Sequence, residues 1–388
     1  MRHAGPLACL LSWMLTMTSA GAGSPLADQA RLEPLTFKDL AGWVEDDHAD
    51  AFRAFLRTCR ALEAQNPDLR PAQAPQGDLM AVCREALKVE NTSRAQARQF
   101  FEANFQPFAV LPVSGSGFLT GYYEPEFEGS READPTFTVP LLARPDDLVT
   151  IPQGETLPGI DPGLQAARRT AQGYEPYPDR AAIEEGALGS LAKPIVHLRE
   201  PGEAFILHVQ GSARIRLRDG SVMRVAYAGR NGRPYTSIGR LLVQRGDMDL
   251  KTMTLEKLMG WLRDHPEPAK ALMRQNQSYI FFREADEIAP EDGPIGGGGT
   301  PLVPGRSLAV DRSLWSYGLP FWLEGRMPVA LDRDEPLRRL MIAQDTGSAI
   351  VGPARGDFFV GSGLKAGTQA GLLRHNTRFV VLQPKPAP

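Results

Sequence analysis

RRLMIAQDTGSAI, residues 338–350, reads as an apolar strand from Leu340 to Ala343 that ends on a polar corner, Gln344-Asp345-Thr346-Gly347-Ser348. A carboxylate at the end of an apolar strand, beside a glycine that lets another backbone or a ligand approach closely, stands between core and cleft. Asp345 is therefore a candidate acid, and on position alone equally a turn-maker accepting from its own backbone. The runs on either side share its character: RSLAVDRS (306–313), LPFWLE (319–324), GDFFVG (356–361) and TRFVVLQ (377–383). Short apolar runs rich in β-branched and aromatic residues, separated by glycines and charges, predict a compact β domain, expected to close as a barrel. Asp311 and Asp357 occupy similar strand-end settings, where capping, or pairing with Arg312 or Arg355, outweighs a direct role.

Further upstream the pattern alternates. Leu40, Trp43, Val44, Phe52, Phe55, Leu56 and Leu62 fall at helical spacing between Phe37 and Gln65, and a second such stretch covers Leu79 to Phe105, predicting two or three packed helices. GFLTGYYEPEFEG (117–129) reads as a strand and its turn. The Pro-rich stretch from Pro135 to Tyr177 is too long for one loop and predicts short strands and turns. AFILHVQGSARIRLRDGSVMRVAYAG (204–229) reads as three β runs with a turn at Arg218-Asp219-Gly220-Ser221. Helical spacing returns from Ser237 to Gln275, and NQSYIFFRE (276–284) is a strand. Residues Asp286 to Gly305, with Gly296 to Gly299 in a row, read as a flexible loop. No Gly-Lys-Ser/Thr follows, so phosphate binding is discounted.

The chain has 388 residues, 42% hydrophobic and 23% charged, which fits two folded domains. Its 43 basic and 46 acidic side chains give a formal charge of −3, so no basic excess suggests nucleic acid or a strongly anionic surface. The start, MRHAGPLACLLSWMLTMTSAGAGS, has a basic end, an apolar run from Leu7 to Met17 and an Ala20-Gly21-Ala22 site. That is the form of a secretory signal peptide cut after Ala22, the run being shorter than the roughly 20 apolar residues a membrane span needs. Export would remove Cys9 and leave Cys59 and Cys83, to be joined in an oxidising compartment or buried as free thiols. The six histidines have no ligand spacing, so neither they nor the cysteines suggest a metal site.

The motifs become specific together. AVDRS, QDTGSAI and GDFFVG, holding Asp311, Asp345 and Asp357, resemble the three-aspartate domain, a double-psi β-barrel. FLTGYYEPEFEGS, HVQGSARIRLRDG, VAYAGRNGRPYTSIGRLLV and NQSYIFFRE resemble the membrane-bound lytic murein transglycosylase A family, and together these blocks span most of Gly117 to Lys385. The resemblance implies an α+β, mainly β fold with flanking helices. After a signal peptide at 1–22, a discontinuous catalytic domain is formed by 23–125 and 277–388, and a smaller β-barrel domain, 126–276, is inserted into it. It also implies that Asp345 is the single catalytic residue. Thr120, Tyr122, Gln210, Gly211, Ser212 and Tyr227 would line a glycan groove, with Asp311 and Asp357 near the active centre. The partner so implied is the peptidoglycan glycan strand, with cell-wall synthesis or division proteins as further candidates.

An uncharged groove of tyrosine faces and amide and hydroxyl groups suits a neutral sugar chain. One carboxylate could suffice for its cleavage. Ordinary glycosidases need two, one of them to activate water or act as nucleophile. In a lytic transglycosylase the attacking group is the C6 hydroxyl of the same N-acetylmuramyl ring, which leaves a 1,6-anhydro end and needs no cofactor. The chain departs from the family in lacking a lipoprotein cysteine after its apolar leader, so the expectation is a periplasmic enzyme without a lipid anchor. Two other readings stay open. Asp345-Thr346-Gly347 matches an aspartic protease, although no second Asp-Thr/Ser-Gly occurs in the chain. A barrel of this kind can also serve as a non-catalytic glycan-binding scaffold.

Overall fold

The helices over residues 48–104 cover one face of the largest sheet because their aromatic side chains have nowhere else to go. The computed structural model describes residues 26–386 except 90–91, 153, 251, 286–287 and 290–291. The proposed signal peptide and Cys9 lie outside the described residues. Helix His48–Glu63 starts on the Asp47 side chain, which accepts from the Asp50 N–H, and Arg94–Asn104 starts on a Ser93–Gln96 capping box. Phe52, Phe55, Phe100, Phe101 and Phe105 stack between these helices with centroids 5.0 to 6.4 Å apart.

A disulfide joins Cys59 on the first helix to Cys83 on helix Leu79–Ala86, 24 residues apart in the chain, and both cysteines are fully buried. Closing a loop of that length removes chain entropy from the unfolded state worth about 3 kcal/mol. The Cys59→Ser/Cys83→Ser variant is expected to lose about that much unfolding free energy in urea, as is the reduced natural chain.

The molecule is mixed α+β. Its nine-stranded sheet runs, edge to edge, Ala30–Pro34, Phe105–Pro112, Arg378–Pro384, Pro320–Ala330, Arg333–Asp345, Ser307–Val310, Arg355–Ser362, Phe118–Glu124 and Arg374–Asn376. Two pairings within it are parallel, Ser307–Val310 with Arg333–Asp345 and Arg355–Ser362 with Phe118–Glu124. Strands from the first third of the chain are thus interleaved with the last third. The main core lies between this sheet and the helices, around Trp315, Trp322, Phe321, Met341 and Ile342.

A six-stranded sheet follows the order Ile280–Glu284, Val222–Arg230, Ser212–Leu217, Glu126–Ser130, Pro194–Leu198, Val139–Leu142, and its two edges meet in a bridge between Ala143 and Phe282. Three short strands, Leu148–Thr150, Ala166–Thr170 and Gly173–Pro176, form a small third sheet in the Pro-rich stretch.

Three expectations change. GFLTGYYEPEFEG is two strands in two different sheets, Phe118–Glu124 and Glu126–Ser130, separated only by Pro125, which cannot donate to a ladder. AFILHVQ is the helix Pro201–Gln210 rather than a strand. It has Pro201 in its first turn, a Glu200–Glu203 capping box and Gly211 in the left-handed region at φ 83° as its C-cap. A short run apolar on nearly all sides carries no period that separates helix from strand. The four glycines 296–299 are buried, not a flexible loop. A Cβ at Gly296 would stand 2.5 Å from the Gln344 carbonyl oxygen, and one at Gly297 would stand 2.5 Å from the Tyr317 hydroxyl. Close approach, not mobility, requires glycine there.

Candidate active site

Successive side chains of a strand point to opposite faces, and the end of Arg333–Asp345 puts that alternation to use. Gln344, fully buried, faces the helices. It donates to the Ala54 carbonyl oxygen (3.0 Å) and the Thr58 hydroxyl (2.8 Å), and accepts from the Ser307 hydroxyl at 2.5 Å. Asp345 faces the other way, into a cleft of about 590 Å³ between the two larger sheets. Its Oδ1 accepts from the Gly297 backbone N–H (2.7 Å) and its Oδ2 from the Tyr122 hydroxyl (2.9 Å). The first donor comes from the glycine run. The second comes from the strand Phe118–Glu124, Tyr122 standing 223 residues before Asp345 in the chain. Among the described residues no basic side chain pairs with Asp345.

Tyr122 lies against Phe359 (5.3 Å between centroids). Burial, then the negative charges of Asp345 and Asp357, hold its hydroxyl well above the ordinary range, so it stays a neutral donor.

The cleft gathers most of the residues named from the sequence. Tyr122, Gln210, Gly211, Ser212, Tyr227, Asp311, Asp345 and Asp357 all line it. Gln210 also accepts from the Tyr123 N–H (3.2 Å), tying the end of helix Pro201–Gln210 to the strand that carries Tyr122. Tyr123 points the other way and packs with Ala366 and Ala370. Asp311 serves the loops: it accepts from the Ser313 N–H and hydroxyl on one oxygen and from the Gly352 N–H on the other. Thr120 is not among the lining residues. Its hydroxyl donates to Asp357 Oδ1 at 2.6 Å and accepts from Arg355 at 2.7 Å, so it positions Asp357 from behind.

Burial pushes the Asp357 carboxyl up to about 6 from the ordinary 3.8, with Arg355 and the Thr120 hydroxyl opposing the rise and the charge of Asp345 adding to it. Between about pH 4 and 6 the folded chain then holds a proton that the unfolded chain has released. This group's contribution to stability is therefore fullest below about pH 4 and declines as pH rises through about 6. The gap corresponds to at most roughly 3 kcal/mol. Relative to the natural chain, Asp357→Asn should gain up to that much unfolding free energy between pH 4 and pH 7 in urea titrations. A difference that stays constant with pH would place the carboxyl at its ordinary value.

Several lining groups escaped the sequence reading. Arg70, Arg230 and Arg312 face the cleft, so the groove is not uncharged as expected. The Arg70 guanidinium lies 4.0 Å over the Tyr227 ring. His208, 7% exposed, also lines it. Its Nδ1 stands 2.9 Å from Arg180 Nη1, and because a guanidinium only donates, Nδ1 accepts and Nε2 carries the proton. Burial and the Arg180 charge hold this imidazole neutral, well below its ordinary range, and among the described residues Nε2 has no partner. The sequence signal for His208 was its place two residues before Gln210, hidden by the apolar run around it. Arg70 and Arg230 carried no signal, because arginines elsewhere in the chain look the same, and Arg312 was read only as a partner for a strand-end aspartate, whereas its side chain donates to the Pro71 carbonyl oxygen.

Fold and site together define an α+β protein with a cleft between two β units and, on the cleft floor, a carboxylate that pairs with no basic side chain among the described residues. Comparison with known proteins takes this further. Residues 118–283 match the model of the MltA specific insert domain, and residues 306–383 match the 3D domain. The crystal structure of a membrane-bound lytic murein transglycosylase from Agrobacterium tumefaciens is 39% identical with a TM-score of 0.81, over 91% of this chain and 97% of that one. Escherichia coli MltA with bound chitohexaose is 25% identical with a TM-score of 0.62, over 88% and 91%. The membrane-bound lytic murein transglycosylase A of Vibrio cholerae is 30% identical over 67% of this chain, and the match spans 64% of its own length, just under two thirds. The chain belongs to the membrane-bound lytic murein transglycosylase A family.

Proposed function

We propose that this chain is a periplasmic lytic transglycosylase that cleaves the bond between N-acetylmuramic acid and N-acetylglucosamine in peptidoglycan, with Asp345 as its only acid and base. The observation that carries the reading is the setting of Asp345: a cleft-floor carboxyl gripped on both oxygens by neutral donors and, among the described residues, paired with no guanidinium or ammonium.

In the proposed cycle the Asp345 carboxyl proton passes to the glycosidic oxygen, and the bond to the muramyl C1 breaks as the N-acetylglucosamine hydroxyl leaves. The C6 hydroxyl oxygen of the same ring closes on C1, and its proton returns to Asp345. No water is consumed and the acid is regenerated. The nucleophile is intramolecular, so positioning replaces activation, an advantage of about 7–11 kcal/mol in the best cases. Gly297 and Tyr122 would hold the carboxyl plane fixed through both transfers.

Gln210, Gly211, Ser212 and Tyr227 would contact the strand on one wall, with Asp311 keeping the facing loop in place. The two parallel pairings of the large sheet support a double-psi barrel, and the Ala143–Phe282 bridge supports a closed smaller barrel. The division between them would fall at Pro125 and after Glu284, because Ile280–Glu284 is hydrogen-bonded into the six-stranded sheet. Chitohexaose in a relative with the same fold supports a sugar chain as the occupant of the cleft.

The test is digestion of purified sacculi with separation of the muropeptides. Products ending in 1,6-anhydromuramic acid support the proposal. Reducing ends would make the chain a hydrolase, and binding without products a scaffold.

A further inference from the structure

A strand of N-acetylglucosamine alone is uncharged, yet the cleft presents three guanidinium groups. Arg70, Arg230 and Arg312 are all part-buried and line the cavity. Among the described residues none of them pairs with a carboxylate, whereas the buried Arg224 and Arg306 do. Their own fixings are few and neutral. Arg70 is held over the Tyr227 ring, Arg230 donates to the Gln165 side chain, and Arg312 donates to the Pro71 carbonyl oxygen at 3.1 Å. A guanidinium carries five N–H donors, so each keeps most of its donors for a ligand. The three are close enough that the charges of Arg70 and Arg312, after burial, weaken the hold of Arg230 on its proton. Gathering like charges in a part-desolvated cleft is costly unless an anion arrives to share them.

The trio also borders the reacting centre. The Arg70 backbone N–H donates to the Gly297 carbonyl oxygen at 2.8 Å, and Gly297 in turn donates to Asp345. Arg312 directly follows Asp311, which also lines the cleft. An anion bound here would therefore hang from a sugar at or next to the bond that is cut.

Resting on the glycan-cleaving reading above, we infer that Arg70, Arg230 and Arg312 form a carboxylate-binding subsite that reads the substituent of the muramyl ring. Every second sugar of the proposed substrate carries a lactyl ether at C3, ending in a free carboxylate when bare and in a carboxylate-bearing peptide when substituted. Guanidinium groups hold carboxylates through charge-assisted, paired hydrogen bonds, which gives both strength and register. The subsite would set the strand so that a muramyl C1, and not a glucosaminyl C1, lies over Asp345.

The experiment measures binding by calorimetry to the full chain carrying Asp345→Asn, so that ligands survive. Four hexasaccharides are compared: chitohexaose, a peptide-free muramyl strand with free lactyl carboxylates, the same strand with those carboxylates as methylamides, and a peptide-bearing strand. Adding Arg70→Gln, Arg230→Gln or Arg312→Gln is expected to lower affinity for a carboxylate-bearing strand at least tenfold more than affinity for chitohexaose, which also reports that the variant is folded. Loss on the free-lactyl strand, absent from its methylamide, assigns the lactyl carboxylate. Loss confined to the peptide-bearing strand assigns the stem peptide. Equal losses on all four ligands, or none on any, overturn the subsite while leaving the cleavage reading intact. A chain that binds none of the four while carrying intact arginines overturns both.

Discussion

Asp345→Asn is expected to release anhydro-ended muropeptides from sacculi about a thousandfold more slowly than the natural chain, or worse, while still binding them. A positioned acid or base contributes about 10²–10⁴-fold, and here one group performs both transfers. Asparagine has nearly the same shape. Its Oδ1 can keep the Gly297 N–H, and its amide can donate to the Tyr122 hydroxyl, so the cleft stays assembled. The loss should therefore appear in kcat rather than in KM. Anhydro products at the natural rate would remove Asp345 from the mechanism. A fall of only a few-fold would point to a second proton carrier, for which the neutral His208 would be the first residue to test.

Glu124→Ala should cost about 3–5 kcal/mol of unfolding free energy, the range found when one partner of a buried ion pair is removed. Glu124 is fully buried and ends the strand Phe118–Glu124, one residue before Pro125 carries the chain into the other sheet. Arg214 and Arg224, from the six-stranded sheet, each reach it at 2.9 Å, and the Ser362 hydroxyl donates to it at 2.7 Å. Arg224 Nη2 also donates to Glu124 Oε2 at 3.3 Å, while its Nε meets Oε1 as an ion pair without hydrogen-bond alignment. Both arginines also donate to the Asp292 carbonyl oxygen. Alanine would leave two guanidinium groups at the seam without their anion, one of them, Arg224, 6% exposed. Glu124→Gln keeps the shape and one acceptor and should cost less. Urea unfolding of both variants gives the comparison, and a loss below about 1 kcal/mol for alanine would show the seam is held mainly by packing.

Much of this was legible because local patterns and final contacts agree. The helical spacing of Phe52, Phe55 and Leu62, the turn at Asp219-Gly220 and the apolar strands around Met341 and Phe358 each satisfy one period and one burial pattern. Asp345 could be singled out as a strand-end carboxylate, though only the family motifs separated it from a turn-maker. Other features depend on contacts far apart in the chain. The helix Pro201–Gln210 is apolar all round because it is covered from several sides, which erases its period. Glycines 296–299 look like any flexible run until the Gln344 carbonyl oxygen and the Tyr317 hydroxyl are seen against them. Thr120 shares a motif and a strand face with Tyr122, but Asp357 and Arg355 from a distant strand engage its hydroxyl, contacts that no local pattern shows. Arg70, Arg230 and Arg312 are scattered over more than 240 positions and meet only in the folded cleft.

Under the proposed function, the interleaving of the large sheet sets when an exported chain could first cut the wall around it. Phe118–Glu124 lies between Arg355–Ser362 and Arg374–Asn376, and Tyr122 touches Asp345 across most of the sequence. Contacts of such separation form late, after the loop they close has been delivered. A chain threading outward amino end first can fold its helices and the smaller sheet early, yet the acid, its tyrosine and its glycine N–H come together only when the last strands arrive. Partly delivered or broken chains would be harmless, and the cutting centre would serve as its own proof of completed export.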